Sequence, residues 1–388
     1  MKIRDIKCFT VDCFRTNWVF VKVYTDEGID GVGEATLEYK EKALTGAVEH
    51  IRDALTGKDP RDIEAIWHGT YRDAYWRGGP VLMSALSAVE IALWDILGKS
   101  LGVPVWRLLG GKCRDRVRIY ANGWFAGARE PEEFAGKAKA AVARGITALK
   151  WDPFGKNYMN IPNSELDRAL RCVAAVREAV GPSVDLLIEG HGRFNIPTAV
   201  TVAKELEQFH PMFFEEPVPP DDLAALRQVK DRSPVPLACG ERLYTRWDFR
   251  RFFDVMPADY IQPDVSHAGG IMELKKIAAE AECRYVPFAP HNPSGPVANA
   301  ATIQLAACCP GFEILEIMYS DVTWRAGVTD ESLRFEDGCI VIPDGGRPGI
   351  GIEINEEECL RHPYRPHTLR HYTGALTDIR PPETAFYF

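Results

Sequence analysis

The feature that most constrains the fold of this chain is an alternation of short apolar segments with amphipathic ones, which begins near residue 117. The amphipathic segment after the first of them places Leu166, Leu170, Val173, Val176 and Val180 at helical spacing. Because such an alternation requires parallel strands joined by crossover helices, it predicts an α/β fold. The apolar segments, predicted to be strands, are 148–150, 186–188, 212–214, 236–238, 260–262, 285–287 and 313–315.

This many strand–helix units are sufficient to close a barrel. A doubly wound open sheet is the alternative, but such sheets carry nucleotide-binding fingerprints that this chain lacks. Its glycine-rich stretch, 345–351, has no GxGxxG spacing and is interrupted by Pro348, and no GxxxxGK[ST] sequence occurs. The pattern therefore favours a TIM barrel.

Residues 1–110 mix strands and helices without this alternation. Residues 19–23 and 31–34 are predicted to form a hairpin, and helices are predicted over about 43–55 and 82–99. The chain after residue 355 is polar and punctuated by prolines, and we expect it to pack back on the N-terminal part. The predicted division is 1–115 for an α+β unit, 116–355 for the barrel and 356–388 for the returning C-terminal segment.

The composition, with 46% hydrophobic and 26% charged residues, is that of a globular protein. A formal net charge of −9 argues against nucleic acid and against an anionic membrane as partners, since both attract basic surfaces. No run of 18 apolar residues occurs, and no apolar signal core follows the N-terminus. The ten cysteines are scattered, without CxxC or zinc spacing. These features predict a cytoplasmic protein.

An ionisable residue follows nearly every predicted strand of the barrel. The carboxyl ends of barrel strands meet at one face, where barrels carry their chemistry, so these side chains are expected to share a site. A helix N-cap or a surface charge would account for one such residue, whereas the whole set in register requires pairing or a metal. In chain order the residues are Lys150 and Asp152, Glu189 and His191, Glu215 and Glu216, Glu241 and Arg242, Asp264, His291, and Glu316.

Three of these carboxylates, Glu189, Glu215 and Glu241, follow neighbouring strands, and no thiolate accompanies them. Oxygen ligands of this kind favour a hard cation, and we predict Mg²⁺. Arg242 is an alternative partner for Glu241. Glu216 precedes a proline and is expected to be structural.

A lone histidine in a core is more often a satisfied hydrogen-bonding group than a base. His291 gains a functional interpretation from Asp264, which can orient its ring and raise its basicity. His191 shares a loop with Glu189, and its alternative interpretation is a supporting or surface histidine in a Gly-His-Gly turn. A cation beside a base equips a site to abstract a proton α to a carboxylate, and a second acid could then expel a β-hydroxyl.

At these residues the chain resembles the enolase superfamily, in its mandelate-racemase-like branch, and within that branch the D-galactonate dehydratases. The resemblance extends over nearly the whole chain, and it is far more specific for the family than for the substrate. The motifs that carry it are 76–85 with 92–95, 189–193, 214–217, 240–244, 262–270, 290–296 and 348–353.

The resemblance implies a modified TIM barrel, (β/α)₇β, with an α+β capping domain formed by the N-terminal region and the C-terminal tail. It also implies that His291, paired with Asp264, takes the C2 proton of an aldonate. His191 would protonate the leaving 3-hydroxyl, and the enol product would tautomerise to a 2-keto-3-deoxy acid. Glu316 would stabilise the enediolate oxygen or form a salt bridge beneath the site.

The chain departs from the family pattern at two positions. Glu189 stands where the galactonate enzymes have aspartate, and Asp152 stands where some members complete a Lys-x-Lys base. Racemisation by two facing bases is therefore less favoured, and Lys150 is either a second base or an electrostatic partner. The loop 13–18, which in this family closes over the substrate, has its own composition. The candidate substrate-binding residues are Asn17, Trp76, Arg77, Asp152 and Arg242.

The leading hypothesis is a Mg²⁺-dependent dehydratase of a small acid sugar, an aldonate of galactonate type, acting as a homo-oligomer. The second is a cycloisomerase or epimerase that acts on a sugar acid or lactone through the same enediolate, with Lys150 recruited. A non-catalytic binding protein is the third, and it predicts eroded site residues. The intact ligand set and the pair of His291 with Asp264 argue against it.

Overall fold

The structure is a computed structural model that describes residues 1–378, 380–381 and 383–387. Positions 379, 382 and 388 of the predicted C-terminal segment lie outside the described residues.

The N-terminal part is a three-stranded antiparallel sheet covered by helices. The predicted hairpin is confirmed, with Phe20 opposite Glu34 and Val23 opposite Gly31. The long third helix has the length and hydropathy of a membrane span, yet 83% of its most apolar window is buried inside the protein, as in a core helix. The elements are β1 (Ile3–Asp12), β2 (Asn17–Thr25), β3 (Gly31–Glu34), α1 (Glu41–Leu55), α2 (Ile63–Arg72), α3 (Pro80–Leu101) and α4 (Val105–Leu108).

The middle of the chain alternates strands and helices, as the sequence predicts. The elements are β4 (Arg116–Asn122), α5 (Pro131–Ala143), β5 (Ala148–Trp151), α6 (Asn163–Val180), β6 (Asp185–Glu189), α7 (Ile196–Leu206), β7 (Phe213–Glu215), α8 (Leu223–Lys230), β8 (Leu237–Cys239), α9 (Arg246–Val255), β9 (Tyr260–Ile261), α10 (Ile271–Glu282), α11 (Pro296–Cys308) and β10 (Leu315–Met318). A 3₁₀ turn, Glu207–Phe209, extends α7.

The strands β4 to β9 pair in chain order, each parallel to the next. Beyond β9 the ring continues through single bridges from Ile261 to Phe288 and from Phe288 to Phe312. Strand β10 then pairs in parallel with β4, with Leu315 opposite Ile119. The predicted modified TIM barrel is thereby confirmed.

One predicted strand, 285–287, is wrong. Tyr285 is 96% exposed and has a φ of 55°, so the chain turns outward after α10. The chain joins the ring only from Pro287 onward, where the carbonyl of Pro287 accepts from the N–H of Ile261 at 3.1 Å and Phe288 forms the bridges. An apolar tripeptide carries no information on such a turn, and the other predicted strands lie within three residues of their observed bounds.

The rest of the chain adds an antiparallel hairpin, residues 335–341, to β4 of the barrel and also returns to the N-terminal sheet. Its elements are β11 (Ser320–Asp321), α12 (Arg325–Val328), β12 (Phe335–Glu336), β13 (Cys339–Val341), α13 (Glu356–Arg361), a 3₁₀ turn (Leu376–Asp378) and β14 (Ala385–Phe386). Helix α13 packs against β1, and Pro363 bridges to Val11. The indole of Trp324 donates to the carbonyl of Asp12 at 3.0 Å.

The barrel interior is built in layers. Buried side chains from successive strands pack together in an apolar layer, which consists of Tyr120, Ala148, Leu187, Phe213, Ala238, Ala289 and Ile314. Side chains alternate along a strand, so the residue two positions later faces the same interior, nearer the carboxyl end. Those residues form a polar layer: Asn122, Lys150, Glu189, Glu215, Gly240, His291 and Glu316. The packing of the apolar layer thus fixes the positions of most of the predicted site residues.

Asp95 of α3 joins the N-terminal sheet to the chain that follows the barrel. Its carboxylate accepts hydrogen bonds from the amides of Val32, at 3.0 Å, and Ile350, at 2.9 Å. Lys99 lies 2.7 Å away. Gly349 approaches so closely, at a φ of 74°, that a β-carbon there would clash with Oδ1 of Asp95.

We expect Gly349→Ala to destabilise the protein more than Gly28→Ala, measured as the free energy of unfolding in urea. Gly28 has the same φ of 74° but open space around it. The stability lost in its variant therefore measures only the cost of a left-handed backbone for a residue with a β-carbon, about 1–2 kcal/mol. The clash with Asp95 should add about 1–3 kcal/mol at Gly349. Equal losses in the two variants would show that the contact with Asp95 is unimportant.

Candidate active site

The three predicted metal ligands come together at the carboxyl ends of β6, β7 and β8. Glu189 and Glu215 lie opposite each other in the strand register, and both are buried. Glu241 follows β8 after Gly240, and its side chain is 16% exposed. One ligand atom from each residue lies within 4.8 Å of the others, so the three, here called the carboxylate triad, can hold one cation.

The electrostatics of the triad favour a bound cation. Burial, and then the charge of Glu189, raise the pKa of Glu215 well above its ordinary value. Burial also raises the pKa of Glu189 to about 7. Both shifts express the cost of placing negative charges together away from water, which a cation would offset. The donors are all carboxylate oxygens, so a hard divalent cation fits them.

Lys150 is held as a charged partner of buried carboxylates. Its Nζ lies 2.9 Å from Oε1 of Glu215, 3.0 Å from Oε1 of Glu316 and 3.3 Å from Oε2 of Glu189. Burial opposes its charge, but these carboxylates raise the pKa of Lys150 well above the usual range. Of the two predicted roles, this geometry supports the electrostatic one.

Glu316 lies fully buried in the polar layer. Beyond the ion pair with Lys150, it accepts hydrogen bonds from the amide side chain of Asn122, at 2.7 Å, and from the backbone N–H of Asn292, at 3.1 Å. Its observed contacts therefore match a salt bridge beneath the site.

His291 stands between two carboxylates. Its Nδ1 lies 2.7 Å from Oδ2 of Asp264, and its Nε2 lies 3.2 Å from Oε2 of Glu241. Burial would lower the pKa of His291, but Glu241 and Asp264 raise it to about 10. Asp264 is itself fixed by the N–H of Ser266, which donates at 2.6 Å. The ring is thus oriented with Nε2 toward the triad.

His191 has a parallel arrangement at the other end of the triad. Its Nδ1 lies 2.6 Å from Oδ2 of Asp152, and its backbone N–H donates to Oε1 of Glu189 at 2.6 Å. Asp152 also pairs with the buried guanidinium of Arg193. The loop is unusual in that His191 has a φ of 50°, in the left-handed region.

A cavity of about 440 Å³ opens over these groups. The predicted site residues that line it are Lys150, Asp152, Glu189, His191, Glu241, Arg242 and His291. Glu215, Asp264 and Glu316 lie behind this wall and touch its members. Arg242 pairs with Glu216, while its Nε lies 3.8 Å from Oε1 of Glu241.

Three predicted substrate-binding residues do not line the cavity. Asn17 is the first residue of β2, and its side chain joins the N-terminal part to the C-terminal segment, donating to Glu41 at 3.1 Å and to the carbonyl of Arg365 at 2.8 Å. Trp76 and Arg77 lie in the connection between α2 and α3, where Trp76 is 80% exposed. Their motif marks the family, but the fold carries these side chains away from the cavity.

Several other cavity residues escaped the sequence prediction, because they come from segments outside the barrel strands. Arg15, rather than Asn17, reaches the cavity from the loop 13–18, and it donates to the carbonyl of Ser294 at 3.2 Å. The C-terminal segment adds a further wall. Its cavity residues are Leu369, Arg370, His371, Tyr372 and Leu376. The only signal for them in the sequence is the clustering of arginine, histidine and tyrosine in this segment.

Comparison with known families agrees with this architecture. The profile of the mandelate racemase / muconate lactonizing enzyme N-terminal domain matches residues 6–110. The enolase C-terminal domain-like profile matches residues 133–358, which is more than half of the chain. The chain therefore belongs to the mandelate racemase / muconate lactonizing enzyme family of the enolase superfamily.

Among its relatives, the chain is 39% identical over 353 residues to a D-gluconate dehydratase of Thermoproteus tenax, covering 90% of this chain and 71% of the relative. It is also 39% identical over 369 residues to a D-galactonate dehydratase of Pectobacterium atrosepticum, covering 92% and 93%. The solved structure of an enolase superfamily member from Salmonella Typhimurium superposes with a TM-score of 0.88 at 33% identity, covering 93% of this chain and 98% of that one.

We expect MgCl₂ to raise the midpoint of thermal unfolding of the wild type, because a cation bound to the folded triad stabilises it by about 2.7 kcal/mol at a hundredfold excess over Kd. Glu215→Gln should lose this increment, since it removes the most buried ligand. The exposed Glu313→Gln serves as the matched control and should keep it. A shift of equal size in all three proteins would place the cation elsewhere.

Proposed function

We propose that this chain is a Mg²⁺-dependent acid-sugar dehydratase that converts an aldonate to a 2-keto-3-deoxy acid. The observation that carries the proposal is a pair of histidines at the two ends of the triad, His191 beside Glu189 and His291 beside Glu241. Each ring has its Nδ1 against a carboxylate, His291 against Asp264 and His191 against Asp152. The relatives named D-gluconate and D-galactonate dehydratase support the same reaction class.

His291 is the base in this proposal, and it acts with Glu241 neutralised by the bound cation, because Glu241 is the main group that raises the pKa of His291. Asp264 holds Nδ1, so Nε2 is the atom that takes the C2 proton, and the C–H electron pair passes into the enediolate. When bound to Glu189, Glu215 and Glu241, Mg²⁺ would supply positive charge for the oxygens on which this electron pair accumulates. The buried ammonium of Lys150 adds a fixed positive charge to the same site.

His191 is the acid. Asp152 holds its Nδ1, which leaves Nε2 for the 3-hydroxyl of a substrate in the cavity that His191 lines. As the enediolate collapses, its electron pair forms the C2–C3 double bond and the C3–O bond breaks. The oxygen leaves as water with the proton from His191, and the resulting enol becomes the ketone.

The rival reactions fit the contacts less well. Epimerisation needs a second base facing C2, and Lys150 is held in its charged form by Glu189, Glu215 and Glu316.

All ten cysteines are free, which suits a reducing compartment. We therefore propose a cytoplasmic dehydratase, divided at residues 115 and 355 as predicted from the sequence and assembled as a homo-oligomer.

A panel of aldonic and aldaric acids, incubated with the enzyme and Mg²⁺, tests the reaction class. We expect semicarbazide to detect a 2-keto acid from at least one aldonate. Incorporation of deuterium at C2 without any keto product would favour an epimerase instead. Binding of an acid sugar without either change would favour a non-catalytic protein.

Two variants separate the roles of the histidines, and asparagine suits both because it fills similar space and tolerates the left-handed backbone of His191. His291→Asn should abolish both C2 deuterium exchange and dehydration. His191→Asn should slow dehydration by about 10²–10⁴-fold while exchange continues.

His210→Asn is the matched control, since His210 is exposed and has a φ of 48°. It should leave both activities unchanged. Dehydration by the His191 variant at the wild-type rate would show that His191 is not the acid.

A further inference from the structure

The C-terminal segment contacts the loop that carries His191. We propose that residues 369–373, here called the C-terminal clamp, hold His191 in position for proton donation, with His371 and Tyr372 as positioning residues. The proposal rests on the dehydratase function proposed above, and it assigns to the tail a role in the elimination step.

Two contacts join the clamp directly to His191. The hydroxyl of Tyr372 donates to the backbone carbonyl of His191 at 2.8 Å. The ring of His371 meets the ring of His191 edge to face, with 4.6 Å between centroids and 77° between planes. One residue therefore fixes the backbone of the proposed acid, and its neighbour limits the rotation of the ring.

Arg193 extends these contacts to the carboxylate that orients the ring of His191. Its buried guanidinium pairs with Asp152, and it donates to the carbonyl of His371 at 3.3 Å. It also donates to the carbonyls of Gly190, at 2.9 Å, and Gly155, at 2.6 Å. The acid, its orienting carboxylate and the clamp thus form one network.

His191 needs such support because of its backbone. A residue with a β-carbon at a φ of 50° is disfavoured by about 1–2 kcal/mol, and the next residue, Gly192, is also left-handed, at a φ of 63°. A loop of this kind has other conformations available, in which the imidazole would leave its position. The hydrogen bond from Tyr372 opposes that change.

The burial of His371 costs free energy. Its Nδ1 is buried and has no hydrogen-bond partner within the described part of the chain. Burial, and then the neighbouring His191, lower the pKa of His371 to about 4, so its ring is neutral at physiological pH. A buried polar atom without a partner costs free energy and calls for an explanation, and the ring contact with the proposed acid supplies one.

The clamp should affect elimination and not proton abstraction. His291 is held by Asp264 and Glu241, and no described hydrogen bond or ion pair joins those three residues to the clamp. Loosening the clamp should therefore slow loss of the 3-hydroxyl while the C2 proton still exchanges.

The variants Tyr372→Phe and His371→Ala test this separation, with Tyr364→Phe as the matched control. Tyr364 belongs to the same segment, but its ring lies against Lys42, and it does not line the cavity. Dehydration kinetics and C2 deuterium exchange are measured on an aldonate that the wild type converts. We expect kcat for dehydration to fall about 10- to 100-fold in both clamp variants, with the exchange rate at saturating substrate unchanged.

A parallel fall in exchange and dehydration would overturn the proposal, because it would indicate general damage to the site. Clamp variants that behave like Tyr364→Phe would also overturn it.

Failure of the dehydratase function is distinguishable from failure of the clamp. If the wild type neither dehydrates nor exchanges any aldonate, the proposed function is wrong, and backbone amide hydrogen exchange still tests the clamp. Peptides covering residues 190–195 should then exchange faster in Tyr372→Phe than in Tyr364→Phe, at equal midpoints of thermal unfolding. Equal amide exchange in the two variants would overturn the clamp.

Discussion

The burial of several carboxylates around one ammonium is the interaction on which the rest of this structure depends. Glu189, Glu215 and Glu316 surround Lys150 inside the barrel, where each unpaired charge is costly. One ammonium does not balance three carboxylates, and the raised pKa of Glu215 expresses the imbalance. A site with this deficit attracts a divalent cation and also the partial positive charges of a bound substrate.

This charge arrangement is held in place from below and from the sides. The apolar layer beneath it, which includes Leu187 and Phe213, places Glu189 and Glu215 by the two-residue alternation of a strand. At the two ends of the triad, His291 and His191 each have Nδ1 against a carboxylate, while Nε2 of His291 faces Glu241. In the proposed reaction, each histidine that transfers a proton is thus oriented by a carboxylate outside the triad, Asp264 or Asp152.

Part of the cavity wall comes from segments of the chain that contribute no barrel strand. Arg15 enters from the loop between β1 and β2, and the C-terminal clamp enters from the opposite end of the chain. Both touch loops that carry the proposed acid and base, since Arg15 reaches the carbonyl of Ser294 and Tyr372 reaches that of His191. Substrate enclosure and the positioning of catalytic groups are therefore physically linked.

The sequence by itself determined the barrel and the residues at its strand ends, because hydrophobic alternation is local and strand polarity then brings the carboxyl ends to one face. It misplaced a strand at 285–287, since the outward turn at Tyr285 leaves no trace in an apolar tripeptide. Asn17, Trp76 and Arg77 were inferred from motifs, and motifs do not say which way a side chain points. Only the tertiary structure decided that Lys150 is ion-paired and that Tyr372 meets His191, 181 residues away, because such contacts depend on how distant segments pack.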